Sequence, residues 1–218
     1  MDTPIDTIII GAGSAGLAAL REVRKRTQSF LIINDGPYGT TCARVGCMPS
    51  KLLIEAANAY HQRHTLEAFG IHGGAALSAD MPAVLRRVRA LRDEFVAGTV
   101  QVTDKLDQRS IAGRARLLGP QQVQVTAPDG STTTYQAKSI VLAPGSTPVL
   151  PPEWRALGAR ILTSDSVFEQ TTLGPRIAVI GMGAIGIELA QALARLGLQV
   201  TGYATKELVG GLSDPAVN

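Results

Sequence analysis

Twice in this 218-residue chain, a short apolar run ends in a G-x-G-x-x-G turn and passes directly into a helical pattern. The first copy joins Ile5–Ile10 through Gly11-Ala12-Gly13-Ser14-Ala15-Gly16 to Leu17–Arg26. The second joins Arg176–Ile180 through Gly181-Met182-Gly183-Ala184-Ile185-Gly186 to Ile187–Leu196. No other feature restricts the fold as much. A run dominated by isoleucine reads as a strand buried on both faces of a parallel sheet, and parallel strands need a crossover connection, usually a helix. In that setting the first glycine permits the tight turn, the second lets a pyrophosphate approach the backbone, and the third lets the helix pack on the strand. The helix N-terminus then offers its unpaired amides to the phosphates. A bare strand-to-helix turn with no ligand is the alternative, and the context favours nucleotide binding. Two copies imply two nucleotides.

Each copy has a following strand, Phe30–Ile33 for the first and Gln199–Tyr203 for the second. The fingerprint expects a carboxylate about 20 residues past the glycines, bonded to a ribose hydroxyl. Asn34 stands at that place, with Asp35 one step later. Either residue can serve, although an amide lacks the charge-assisted strength of a carboxylate.

Between the two copies lie the only cysteines, Cys42 and Cys47, in Gly39-Thr40-Thr41-Cys42-Ala43-Arg44-Val45-Gly46-Cys47-Met48-Pro49-Ser50-Lys51. They read as a dithiol/disulfide pair at the start of a helix, where unpaired amides and the helix dipole favour a thiolate. Arg44 and Lys51 add positive charge nearby. A passive staple closing so short a loop gains little chain entropy, and the rest of the chain is not a disulfide scaffold. A metal site combining the cysteines with His61 and His64 matches no zinc spacing. Redox chemistry is the expectation, with no metal.

The remaining chain alternates helix and strand patterns. Pro49 sits near the first turn of a helix expected over Leu52–Phe69. Asp80 and Pro82 announce another helix, running to about Lys105. Strand patterns follow at Ser110–Leu118, Val123–Thr126 and Thr132–Ala137, with Pro128-Asp129-Gly130 as a hairpin turn. Ser139–Ala143 is a further strand, and Pro148–Pro152 is the best linker candidate. The 21 basic and 18 acidic residues are spread out. The densest group, Arg86, Arg87, Arg89 and Arg92, reads as a solvated helix face, so nucleic acid is not implied. No apolar run is long enough to span a bilayer, and Asp2 and Asp6 do not suit a secretory signal. A cytoplasmic location is expected, where paired cysteines are more often catalytic than structural.

With Gly11–Gly16, the Thr41–Lys51 dithiol block, Ala143–Pro148 and Gly181–Glu188 in place, the chain resembles the disulfide-linked flavoprotein oxidoreductases. That family includes dihydrolipoamide dehydrogenase, glutathione reductase and mercuric reductase. The dithiol block, Thr-Thr-Cys-Ala-Arg-Val-Gly-Cys-Met-Pro-Ser-Lys, is most similar to dihydrolipoamide dehydrogenase-like sequences. The resemblance implies two Rossmann-like folds and a β-meander, with FAD on the first fold and NAD or NADP on the second. It implies that Cys42 exchanges with substrate sulfur and that Cys47 lies against the flavin as its charge-transfer thiolate. Lys51 would sit near the flavin N5 with Glu188 as its ion-pair partner, joining the two nucleotide domains through a pair expected to be partly buried. A cation there would stabilise negative charge on the reduced ring.

Gly11, Gly13, Ser14, Ala15, Gly16, Thr40 and Thr41 are further FAD-contact candidates on this resemblance. Gly145 and Ser146 match a loop close to FAD, and Ala115 matches a backbone contact to its adenine end. Gly181, Gly183, Ala184, Ile185 and Gly186 belong to the nicotinamide dinucleotide. Two departures stand out. Ala143-Pro144-Gly145 replaces the usual Ala-Thr-Gly and loses a backbone donor. No acid follows the second fold's second strand, where Ala204, Thr205 and Lys206 stand instead. Lys206 could meet a 2′-phosphate, so NADP stays open.

Family members are longer and end in a dimerisation domain that supplies a His–Glu pair across a homodimer. The expectation is therefore an FAD-binding domain over 1–149 that lacks its return, a truncated NAD(P)-binding domain over 150–218, and no dimerisation domain. Little or no lipoamide turnover is expected of this chain alone. Its substrate would be a dithiol/disulfide such as the lipoamide of a 2-oxoacid dehydrogenase complex. A glutathione- or mercuric-reductase-like enzyme, or a non-catalytic nucleotide-binding fragment, is the alternative.

Overall fold

The computed structural model describes residues 5–205, 210–214 and 216. The chain divides into two compact units, Met1–Gly46 with Asp93–Ile161, and Cys47–Arg92 with Leu162–Asn218. Each unit contains one of the glycine turns.

The first unit holds a six-stranded sheet in the order β3-β2-β1-β6-β5-β4. Its strands are β1 (Ile5–Ile10), β2 (Phe30–Asn34), β3 (Ser110–Ala112), β4 (Arg114–Gly119), β5 (Gln122–Thr126) and β6 (Thr132–Leu142). β1 runs parallel to β2 and to the C-terminal half of β6, placing Ile9 between Ile32 and Val141. Successive side chains of a strand point to opposite faces, and the core follows that alternation. Ile9 and Ile32 join Leu20 of helix α1 (Ser14–Val23) and Leu106 on one face. Ile8 and Ile33 join Val123, Val125 and Ala137 on the other. Full burial of such aliphatic side chains is worth about 1.5–3 kcal/mol each, so the unbroken isoleucine run is explained by two buried faces.

Two strand expectations change. The run expected over Ser110–Leu118 is two strands split at Gly113, with β3 joining β2 in parallel and β4 joining β5 antiparallel. A Cβ at Gly113 would meet Val125 Cγ1 at 2.7 Å and the Thr126 carbonyl oxygen at 2.8 Å. The chain can cross between the two pairings only where no side chain intervenes. Conversely, Thr132–Ala137 and Ser139–Ala143 form one eleven-residue strand, β6. Its first half pairs antiparallel with β5 and its second half parallel with β1. Alternation along the sequence does not reveal a change of partner.

The second unit pairs β7 (Arg176–Ile180) in parallel with β8 (Gln199–Tyr203), connected through helix α5 (Ala184–Arg195). Its core gathers Leu53 and Ala57, Leu85 and Val88, Phe168, and Leu193 and Leu196. The first two belong to a helix over Cys47–His61, and the next two to one over Met81–Asp104. The helix expected over Leu52–Phe69 thus begins earlier and ends earlier. Pro49 sits within its opening turn, where a missing N–H costs nothing. Beyond His61 the chain tightens into short 3₁₀ turns at Gln62–His64 and Leu66–Phe69, closed by Gly70 in the left-handed region.

Candidate active site

In the first glycine turn, Gly11 has φ +104°, and a Cβ there would lie 1.9 Å from the Ala143 carbonyl oxygen. A Cβ on Gly16 would lie 1.8 Å from the carbonyl oxygen of Gly11. Both positions are therefore closed to any side chain. Gly13 differs, because a Cβ there would meet nothing within 4 Å. It is the N-cap of α1 with no side-chain cap, and the first helical bond is Leu17 N–H to its carbonyl at 2.9 Å. Bare amides at Ser14, Ala15 and Gly16, an open approach over Gly13 and no competing side chain suit a dinucleotide phosphate.

Around that turn, the Asn34 amide oxygen accepts the Ala12 N–H at 3.0 Å, and its amide nitrogen donates to the Gly36 carbonyl at 2.9 Å. Asp35 is 55% exposed, with the Arg114 guanidinium 3.7 Å away. Ala115 follows Arg114 on β4. Gly145, with φ +73°, and Ser146 lie in the exposed loop after β6.

The dithiol block opens with Thr40 at φ 60° and ψ 147°, a conformation that costs a non-glycine residue about 1–3 kcal/mol. Its hydroxyl oxygen accepts the Ala43 N–H at 3.0 Å and caps the short helix α2 (Thr41–Arg44), which carries half-buried Cys42. Exposed Cys47 opens helix α3 (Cys47–His61). The buried Ser50 hydroxyl donates to the Cys47 carbonyl at 3.1 Å. Ser50 was not singled out by sequence. Its place between Pro49 and Lys51 on the first turn of α3 is the clue that could have found it.

In the second glycine turn the first geometry recurs. A Cβ on Gly186 would lie 1.9 Å from the Gly181 carbonyl oxygen, and one on Gly183 would meet nothing within 4 Å. Gly183 caps α5 without a side-chain bond, and its backbone forms an isolated parallel bridge with Gly210. Ala204 and Thr205 follow β8 without a carboxylate, and Lys206 lies outside the described residues.

The Lys51 ammonium donates to a Glu188 carboxylate oxygen at 2.5 Å, tying α3 to α5. Both residues belong to the second compact unit. Lys51 is 60% exposed and Glu188 31%, so the expected pair is present with its carboxylate half-buried and its ammonium open to water. Such a pair is worth at most about 1 kcal/mol rather than the several of a desolvated one. The Lys51 hydrogen bond, then that of Ser50, holds the Glu188 carboxyl below its ordinary value of 4.5. Because the folded value is lowered, the contribution is complete above 4.5 and is lost as pH falls through the folded value. Lys51→Met should therefore cost up to about 1 kcal/mol at neutral pH, with its melting curve converging on the parent's in acid. A gap that persists in acid would show that Lys51 acts through packing.

Of the arginine group, Arg86 and Arg87 are exposed as expected, and the other two are corrected. Arg89 donates to the carbonyls of Phe168 and Gln170, and Arg92, only 7% exposed, pairs with Glu169. Both hold the turn at Val167–Glu169 within the second unit. The clue was periodicity, since Arg92 continues the buried stripe of Leu85 and Val88 on helix α4 (Met81–Asp104).

Two glycine-turn dinucleotide folds with a paired-cysteine block between them define a class of nucleotide-dependent redox proteins. The chain belongs to the pyridine nucleotide-disulphide oxidoreductase family, whose sequence pattern matches residues 5–216. It is 32% identical over 196 residues to a dihydrolipoyl dehydrogenase of Chlorobaculum tepidum, covering 90% of this chain and 42% of that protein. A mercuric reductase of Serratia marcescens is 31% identical over 209 residues, with 92% and 44% covered. Among solved structures, LpdA from Mycobacterium tuberculosis superposes with a TM-score of 0.76 at 27% identity, covering 94% of this chain and 46% of that one. The flavoprotein disulfide reductase RclA from Escherichia coli shares the fold with a TM-score of 0.75 at 20% identity, covering 93% and 42%. The chain thus spans less than half the length of these relatives. The family uses FAD and NAD or NADP. No helix among the described residues is long and apolar enough to cross a membrane.

Proposed function

We propose that this chain is the dinucleotide-binding part of an FAD-dependent disulfide oxidoreductase that moves electrons between a dithiol/disulfide substrate and NAD or NADP. Residues 1–149 contribute the FAD-binding domain and 150–218 the NAD(P)-binding domain. The observation that carries this reading is the dithiol block itself. Its Cys47 opens the helix whose Lys51 is paired with Glu188, just past the second glycine turn. FAD, when bound, supplies a two-electron relay between the thiols and the nicotinamide.

Within the chain, the amides of Ser14 and Ala15 hold phosphate and the open face of Gly13 admits it. Cys42 exchanges with substrate sulfur, while Cys47 completes the disulfide. Glu188 keeps the Lys51 cation in place beside the flavin. Lipoamide of a 2-oxoacid dehydrogenase complex is the proposed substrate, supported by the dihydrolipoyl dehydrogenase relatives. Likeness to mercuric reductases supports a metal-ion reductase as the second reading. A homodimer of a longer form in the cytoplasm completes the proposal.

Alkylation order tests the assignment of the two thiols. In the reduced, FAD-free protein, exposed Cys47 should react with iodoacetamide before half-buried Cys42. Saturation with FAD should protect Cys47 and leave Cys42 reactive, as followed by mass spectrometry of the labelled peptides. Equal protection of both thiols, or none for Cys47 with FAD bound, would count against the assignment.

A further inference from the structure

We propose that Asn34 is a positioning residue that fixes the phosphate-binding turn, and that ribose recognition in the first fold falls to its neighbour Asp35. The proposal rests on the FAD reading above. Asn34 ends β2 and ties three segments together. Its amide oxygen accepts the Ala12 N–H at 3.0 Å, inside the glycine turn. Its amide nitrogen donates to the Gly36 carbonyl at 2.9 Å, in the loop after β2. Its backbone carbonyl accepts the Gly113 N–H at 2.9 Å, where β3 passes into β4.

These bonds give a physical reason for the missing acid. The side chain at 34 must accept on one side and donate on the other, which an amide does and a carboxylate cannot. An aspartate there could still take the Ala12 N–H, but its second oxygen would face the Gly36 carbonyl oxygen with no proton between them. The loss of one donor leaves an acceptor unsatisfied, and two negative oxygens repel. The fingerprint's acid position has therefore been given to organising the turn.

Asp35 is placed for the vacated task. Its carboxylate is 55% exposed and lies 3.7 Å from Arg114, beyond hydrogen-bond length. Ionised carboxylate oxygens accept from hydroxyls with roughly twice the strength of neutral acceptors. It lies beside Arg114, whose neighbour Ala115 is the candidate adenine-end contact, so an adenosine ribose and base would meet one corner of the first unit.

The experiment compares the dissociation constants of FAD and of an FAD analogue carrying 2′-deoxyribose on its adenosine half, read by flavin fluorescence. Hydrogen exchange at the Ala12 amide is followed in parallel. The parent should prefer FAD by roughly tenfold, the scale of one charge-assisted bond. Asp35→Asn should bring that preference close to one while leaving Ala12 exchange unchanged. Asn34→Asp, which conserves volume, and Asn34→Ala should each weaken both flavins by roughly tenfold with the preference intact. They should also accelerate Ala12 exchange. Loss of the preference in the Asn34 variants, its survival in Asp35→Asn, or its absence from the parent would overturn the proposal while leaving FAD binding in place. Failure of the parent to bind FAD would overturn the proposal together with the reading on which it rests.

Discussion

Gly16→Ala is expected to destabilise the first compact unit by about 3 kcal/mol, the upper end of the overpacking range. The new methyl would stand 1.8 Å from the Gly11 carbonyl oxygen and 2.9 Å from its carbonyl carbon. Both atoms are backbone, and they belong to the turn whose amide is held at 2.7 Å by the Ile33 carbonyl. No rotamer can relieve the contact, so the helix must move away from the strand. Gly13→Ala is the informative partner. It keeps extended backbone angles and meets nothing within 4 Å, so its cost to folding is an alanine N-cap, within about 1 kcal/mol. Its methyl would nevertheless occupy the approach used by a pyrophosphate, and FAD affinity should fall by roughly 100-fold or more. Denaturant melts and flavin titration of the two variants separate the effects. A Gly13→Ala protein that binds FAD like its parent would show that the phosphates do not pass over this turn.

Replacement of either cysteine by serine should abolish intramolecular disulfide exchange. With a small disulfide as oxidant, the parent should lose both thiols together and consume one oxidant per chain. With a linear disulfide, two protein thiols become one protein disulfide while the oxidant leaves as two free thiols, so atoms and electrons balance. Cys47→Ser should stop at a mixed disulfide on Cys42, because the resolving thiol is gone. Cys42→Ser should leave Cys47 without a partner on the same chain. Wherever dithiol-dependent turnover is measurable, each serine variant should lose roughly 10³-fold or more, the scale seen when a nucleophile is removed. Thiol titration, intact-mass measurement and turnover provide independent checks. Full turnover by either variant would show that the pair is not the route for electrons.

Much of this was open to sequence because the controlling physics is local. Gly11 and Gly181 are dictated by their positive φ and Gly16 and Gly186 by contacts within the turn, and the runs flanking the turns follow the two periodicities of strand and helix. β1, β7 and β8 accordingly begin and end where their apolar runs do. Pairing partners are not local. β6 changes partner halfway along, and Gly113 divides β3 from β4 only because Val125 and Thr126 crowd it from another strand. Neither event disturbs the alternation that marks a strand.

By itself, the sequence determined the two glycine turns, the cysteine pair and the family to which they belong, since each is a short run whose chemistry needs no distant partner. Only the tertiary structure decided what Asn34, Arg89, Arg92 and Lys51 do. Asn34 stands at the ribose position in the sequence, and only the fold shows that it also bonds Ala12, Gly36 and Gly113. Arg89 and Arg92 looked solvated until the turn at 167–169 folded over them. Lys51 and Glu188 are paired as expected, and the fold leaves the ammonium open to water while half-burying the carboxylate. Charge and polarity are visible in a sequence, whereas burial and hydrogen-bond satisfaction depend on residues far along the chain. Those two quantities set the energy of a polar group.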